Sequence, residues 1–335
     1  MPDRALRLAI YASLLPACAS RDEPNSESCG VTVESTVPTT GETAAYYRGN
    51  LEFRLSDATS GATITTSIPG EQAASADGLT VLWVLESPLR PSSAYEASLN
   101  YCAGEVDLEF ETSEVGNIVS GADALVGMTY ALDLGAGRVV EPTVSGSFLS
   151  NYLFTRDLLV AVVGSGPGTL DLRIGYSGDG GSADQDTCRP TAEFAAADFS
   201  ENPYFRSGPG TLGIADDWTI MLEQAALSGS FAPAGDYFVG GVLEGTLDTR
   251  RLGPVMGLGD EPDAFCNLSA SAGGTQCSEC SDGAPYCVHV KVDQILGVAT
   301  SGATLREVDG QNCSGCESPT ETTDLSTSCE AASSS

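Results

Sequence analysis

Tyr95-Glu96-Ala97-Ser98-Leu99-Asn100-Tyr101 and, shortly after it, Val106-Asp107-Leu108-Glu109-Phe110-Glu111 decide the fold class. Apolar and polar side chains alternate with a period of two. One set therefore faces a core and the other faces water, as in a half-buried strand. Leu51, Phe53 and Leu55 alternate in the same way with Glu52 and Arg54. Leu79 to Leu85 differs, because Leu82 and Val84 leave it apolar on both sides, and it reads as a central strand covered on both faces. Turn residues separate these runs at short spacing, which predicts a β-sandwich over residues 29–115. Cys29 and Cys102 are the only cysteines in that part of the chain, and they are expected to pair and staple its ends.

Residues 116–316 read as a second antiparallel β domain, a curved sheet or partly closed barrel with a Cys-rich end. Tyr130 to Leu134, Leu158 to Val163, Leu170 to Ile174 and Trp218 to Leu222 are predicted strands. The clearest hairpin runs from Leu227 to Phe231, turns through Pro233 to Asp236 and returns from Tyr237 to Leu247. Gly240, Gly241 and Gly245 in its second arm mark bends or close packing, which suits a coiled sheet. Val288, Val290 and Val292 alternate with His289, Lys291 and Asp293 in a late strand, and Ala192 to Phe199 is expected to form a short helix after Pro190. Residues 317–335 are rich in Ser, Thr and Glu and read as a mobile tail.

The first domain resembles the bacterial Ig-like domains of surface-layer and other exported proteins. The residues that carry the likeness are Val37-Pro38-Thr39-Thr40-Gly41, the strand Leu51-Glu52-Phe53, then Leu89-Arg90-Pro91-Ser92-Ser93-Ala94-Tyr95 and the closing Phe110-Glu111-Thr112. The resemblance implies a spacer or adhesion module and carries no catalytic residue.

At the N-terminus, Arg4 and Arg7 precede a short apolar stretch from Leu8 to Ala17. It is too short for a membrane-spanning helix and fits the core of a signal peptide. It runs into Leu15-Pro16-Ala17-Cys18, which resembles the lipobox of bacterial lipoproteins, with Pro16 where a small residue is usual. Residues 1–17 are thus expected to be a signal peptide, Cys18 the lipidated residue, and residues 18–28 a polar tether. The alternative is cleavage after Ala17-Cys18-Ala19, which yields a soluble secreted protein. Ala19 after the cysteine implies, by the same resemblance, sorting to the outer membrane. The whole layout resembles surface lipoproteins of myxobacteria and related groups.

The chain has eleven cysteines, so ten remain once Cys18 is set aside, an even number that permits five disulfides. The candidates are Cys29, Cys102, Cys188, Cys266, Cys277, Cys280, Cys287, Cys313, Cys316 and Cys329. Such density favours an oxidising compartment. Cys188 with Cys266 is a possible bridge of the middle domain, and the connectivity of the remaining six stays open. Cys277-x-x-Cys280 and Cys313-x-x-Cys316 also have zinc-site spacing. Turn formers follow both pairs, whereas a redox pair opens a helix.

Fifteen basic residues face forty-six acidic ones in 335 residues, for a net charge of −31, and Lys291 is the single lysine. No strong basic patch for nucleic acid is available, and binding to a phosphate backbone is close to excluded on that balance. Cations are the electrostatically favoured small partners and anions the disfavoured ones. Length suggests two domains, and 41% hydrophobic residues suffice for real cores.

Catalytic signatures are missing. His289 is the only histidine and lies on the polar phase of its strand; no Gly-x-Ser-x-Gly elbow accompanies it. Lys291 lacks a phosphate-loop context. Asp216-Asp217 beside Trp218 could be a glycosidase pair, with solvated surface charge as the simpler reading. No metal site is expected; Asp179, Asp184 and Asp186 are weak calcium candidates whose spacing is not that of an EF-hand, and a plain acidic loop is the simpler reading. Tyr152, Phe154, Phe231, Tyr237 and Phe238 could line a ligand cavity or pack a core. The expectation is a non-enzymatic, cofactor-free surface lipoprotein with an adhesion, structural or envelope-contact role. It would be anchored in the membrane by lipid, with other envelope or surface proteins as partners. The alternative is a lipid or small-ligand binding protein with a pocket in the second domain.

Overall fold

Alternation places Leu51, Phe53, Leu55, Leu99, Leu108 and Phe110 in one core, and the strands that carry them assemble accordingly. The computed structural model describes residues 29–75, 77–142, 146–178, 184–214, 220–272, 274, 276–301 and 304–309. The expected signal peptide, lipidated Cys18, tether and tail, together with Asp179, Asp216 to Trp218, Cys313, Cys316 and Cys329, lie outside the described residues. Eight strands form the first domain: β1 (Val33–Val37), β2 (Glu42–Ala45), β3 (Leu51–Leu55), β4 (Thr63–Thr66), β5 (Gly70–Ala74), β6 (Thr80–Leu85), β7 (Ala94–Tyr101) and β8 (Gly104–Thr112). One sheet has the order β1-β3-β6-β5 and the other β2-β8-β7-β4, with β2 parallel to β8. This is the Ig-like sandwich arrangement.

The Leu-x-Pro-x-x-x-Tyr stretch has a mechanical role. Tyr95 stacks on Phe110 at 5.7 Å, and its hydroxyl accepts a hydrogen bond from the Arg90 N–H at 2.8 Å, pinning the corner that leads into β7. Cys29 and Cys102 are bonded, with Cα atoms 5.8 Å apart. Gln72 on the edge strand β5 donates to the Ala62 carbonyl and accepts from the Ile64 N–H, both at 2.8 Å, so its amide joins the two sheets at their open side. One expectation needs correction. β6 is central in its sheet, between β3 and β5, but its second face is not covered: Leu82 and Val84 are only half-buried, while Val81 is in the core.

The second domain contains β9 (Thr129–Leu132), β10 (Arg138–Glu141), α1 (Gly146–Leu153), β11 (Leu158–Gly166), β12 (Thr169–Tyr176), β13 (Ala192–Asp198), β14 (Tyr204–Arg206), β15 (Gly210–Gly213), β16 (Met221–Phe231), β17 (Tyr237–Asp248), α2 (Leu252–Val255), α3 (Ala264–Ser271) and β18 (Cys287–Ala299). Strands β9-β11-β12-β13-β14-β16-β17-β18 close into an eight-stranded antiparallel barrel, because the end of β18 pairs with β9. Earlier along its length the same edge of β18 pairs with β10, so β10 flares off the barrel wall.

An eight-stranded barrel is just wide enough for side chains to fill. Here Phe231 lies 4.9 Å from Phe205, 5.3 Å from Tyr130, 5.7 Å from Phe238 and 6.1 Å from Phe199, ring centre to ring centre. Tyr130 satisfies its hydroxyl by donating to the Gly235 carbonyl at 2.7 Å, and burial raises its pKa. The five aromatics considered as a cavity lining therefore separate. Phe154, Phe231 and Phe238 are core, Tyr152 is exposed, and Tyr237 faces the sandwich.

Ala192 to Phe199 is not a helix but chiefly the strand β13, laddered onto β12. Its inward residues, Phe194 and Ala197, are three apart because a bulge with Ala196 in left-handed conformation (φ 52°) intervenes. Gln224 (φ 51°) and Gln294 (φ 58°) sit at similar register shifts in β16 and β18, where the wall bends.

The cysteines also correct the sequence reading. Cys266 pairs with Cys277, not Cys188, and Cys280 pairs with Cys287. Cys266 lies in α3, which is followed at once by the loop bearing Cys277, so the shorter closure is at hand. Cys188 is itself disulfide-bonded. Residues 304–309 cross the outside of the barrel, burying Leu305 against Leu159 and Ala161 of β11. There the Arg173 guanidinium donates to the Leu305 carbonyl at 3.2 Å, and Thr191 and Val308 exchange hydrogen bonds.

Candidate functional site

The residues Tyr46-Tyr47-Arg48, directly after β2, build the junction of the two domains. Both tyrosine hydroxyls meet the fully buried Ser230 Oγ of the barrel, at 2.9 and 3.1 Å. Burial raises the Tyr46 pKa and keeps the phenol protonated, so it remains a hydrogen-bond donor. Its ring lies against Gly240, where a Cβ would stand 2.1 Å from a ring carbon. Only glycine fits there, and its left-handed φ of 61° suits glycine as well. Arg48 stacks over the Tyr204 ring at 4.1 Å and pairs with Glu201. Ala232, Tyr237 and Val239 of the barrel complete the sandwich core.

On one side of this junction lies a cleft of about 550 Å³. Its floor is Arg138 of β10, held between the domains. Its guanidinium donates to Glu52 of β3 at 2.6 and 2.9 Å and to Asp293 of β18 at 2.9 and 2.7 Å. The two carboxylates raise its pKa further, so it is always charged. Arg138→Ala leaves both carboxylates facing each other without a cation. It is expected to lower stability by about 2 kcal/mol, read as a shift in the urea midpoint. Arg138→Lys recovers only part, because an ammonium cannot make two forks. An unchanged midpoint for Arg138→Ala would show that the clamp is not a fastening.

Around the floor stand Arg48, Lys291, Glu42, Asn50 and Gln294, with Val37, Pro38, Val239 and Val242 as apolar walls. Sequence reasoning assigned none of these a site role. The only signals were the run Tyr46-Tyr47-Arg48 and the isolation of Lys291. A second depression, over β7 and β8, is lined by Glu42, Glu96, Glu109 and Glu111 on the solvated face of the sandwich, and presents charge of one sign only.

The residues singled out from sequence are scattered. His289 Nδ1 meets Glu141 Oε2 at 3.0 Å on the outer surface, both half-exposed and outside the cleft lining. The Asp186 carboxylate binds Arg189 at 2.9 Å and Arg156 at 3.5 Å and accepts from the Cys188 N–H, so it closes a loop through cations. Asp184 is exposed, and its carbonyl accepts from the Gly178 N–H. Asp248, Cys280 and Cys287 come within 4.8 Å of one another, the distance of a metal site. Both sulfurs belong to one disulfide and offer no thiolate, and the carboxylate grips Arg250 at 2.9 Å. The sulfurs of Cys277 and Cys280 go to different partners, so that pair is structural. Among the described residues no helix is long and apolar enough to cross a membrane.

No family model and no curated protein matches the chain. Among solved structures, an L,D-transpeptidase from Mycobacterium smegmatis aligns with 44% of this chain and 79% of its own, at 15% identity and a TM-score of 0.23. A likeness at that score carries no argument about fold or function.

Proposed function

We propose that this protein is a non-enzymatic surface lipoprotein, exported and held at the outer membrane by a lipid on Cys18, with the Ig-like sandwich as a spacer and the barrel as the part that meets other envelope or surface molecules. One observation carries the reading: every described cysteine, seven in all, is disulfide-bonded. Bonds of that density persist in oxidising compartments. The domain junction supports the spacer role, because the side chains of Tyr46, Tyr47, Arg48 and Arg138 fasten the barrel to the sandwich rather than leaving a hinge.

Mass spectrometry of the protein from its native cells tests the reading. The expected mature chain lacks residues 1–17, carries an acylated Cys18 and resists alkylation at its other ten cysteines until reduced. A chain that keeps Met1 and alkylates freely overturns it.

A further inference from the structure

We propose that the interdomain cleft binds a neutral saccharide. The argument starts from which polar groups are free. Among the described residues, the side chains of Lys291, Gln294 and Asn50 make no hydrogen bond or ion pair, yet all three line the cleft. The acidic neighbours of Lys291 across the sheet are engaged elsewhere, Glu141 by His289 and Glu244 by Arg206. The single ammonium of the chain that belongs to a lysine side chain therefore remains available. Gln294, exposed at a bulge in β18, is one of the residues that line the cleft.

Charge then narrows the ligand. Arg48, Arg138 and Lys291 offset Glu42, Glu52 and Asp293, so the cleft is formally neutral on a chain of −31. A polyanion would be repelled by the rest of the surface. A metal ion would need several free carboxylates, but Glu52 and Asp293 are committed to Arg138, and Glu42, the third in the lining, already accepts from the Thr39 N–H and hydroxyl. A lipid chain would need a lining free of charge, whereas Arg48, Arg138, Lys291, Glu42, Glu52 and Asp293 stand among the apolar residues here. What remains are two amides, each able to donate and accept, and an ammonium that can only donate. Hydroxyl groups, which do both, match that set. A peptide strand would bind instead through an open sheet edge, whereas the free groups here are side chains. The volume lies within the range of small-ligand sites, about 300–1,000 Å³, and the fastened junction holds the two walls in place. This proposal uses only the cleft and does not depend on export.

The test is saturation-transfer NMR on the full-length protein. Neutral probes are cellotriose, maltotriose and tri-N-acetylglucosamine; trigalacturonate, spermidine and a capped Gly-Ser-Gly peptide are the contrasts. At least one neutral trisaccharide should bind. Lys291→Met and Gln294→Ala should each weaken it about tenfold without moving the melting temperature, because neither side chain holds another residue. The proposal is overturned if no neutral probe binds, if only a charged probe or the peptide binds, or if both variants leave the affinity unchanged.

Discussion

Phe231→Ala should destabilise the barrel by about 4 kcal/mol, within the range for a fully buried phenylalanine. Phe231 is 1% exposed, and four aromatic rings surround it. Removing the ring deletes transfer free energy and leaves a hole that closed barrel walls cannot collapse to fill. Phe231→Leu keeps most of the volume and should cost under about 1.5 kcal/mol. Urea denaturation followed by near-ultraviolet circular dichroism measures both. Equal midpoints for the Ala variant and the parent would mean that the interior is loosely filled, contrary to ring centres 4.9–6.1 Å apart.

The second large effect concerns the sandwich. Cys29→Ser with Cys102→Ser should cost about 4 kcal/mol, because the bond spans 73 residues and long closures restrict the unfolded chain most. The bonds Cys266–Cys277 and Cys280–Cys287 span only 11 and 7 residues, and opening either should cost less. Since Ala232, Tyr237 and Val239 of the barrel pack into the sandwich core, the double variant should also lower the barrel's own transition somewhat. The check is differential scanning calorimetry of the variant without reductant. A transition temperature equal to the parent's would show that the strand ladders alone fix the sandwich.

Much of this architecture was legible because single elements announced themselves. The alternation in β3, β7, β8 and β18 gave the inward faces correctly, and the Pro233 to Asp236 turn gave the β16–β17 hairpin. The Leu89 to Tyr95 stretch carries part of the Ig-like likeness, and the bond from the Arg90 N–H to the Tyr95 hydroxyl gives it a structural role. Misreadings share a physical cause. A left-handed residue in a bulge breaks period two, so the alanine-rich β13 looked like a helix when its ladder with β12 overrides intrinsic preference. Leu82 and Val84 are apolar on the face opposite the core yet remain half in water, since an apolar side chain is not by itself a buried one.

The candidate site was invisible for a different reason. Glu52, Arg138 and Asp293 come from three strands far apart in sequence, and only the docking of sandwich on barrel brings them together. Nothing local marks such residues: Arg138 reads as a surface cation until Glu52 is placed opposite it. Lys291 was noticeable for its rarity, but rarity gave no direction, and its freedom follows from the commitments of Glu141 and Glu244.

The closing strand of the barrel is also its last. β18 joins β17 on one edge and β10 and β9 on the other, so the wall is a ring only once the first strand meets the final one. The folding chain must therefore expose the aromatic interior until the strand ending at Ala299 is in place, and this wait falls on the slow, long-range pairing that sets folding speed. Premature truncation before Cys287 would leave an open sheet with two raw edges, a form suited to sticking to its own kind rather than to a smaller version of the native molecule.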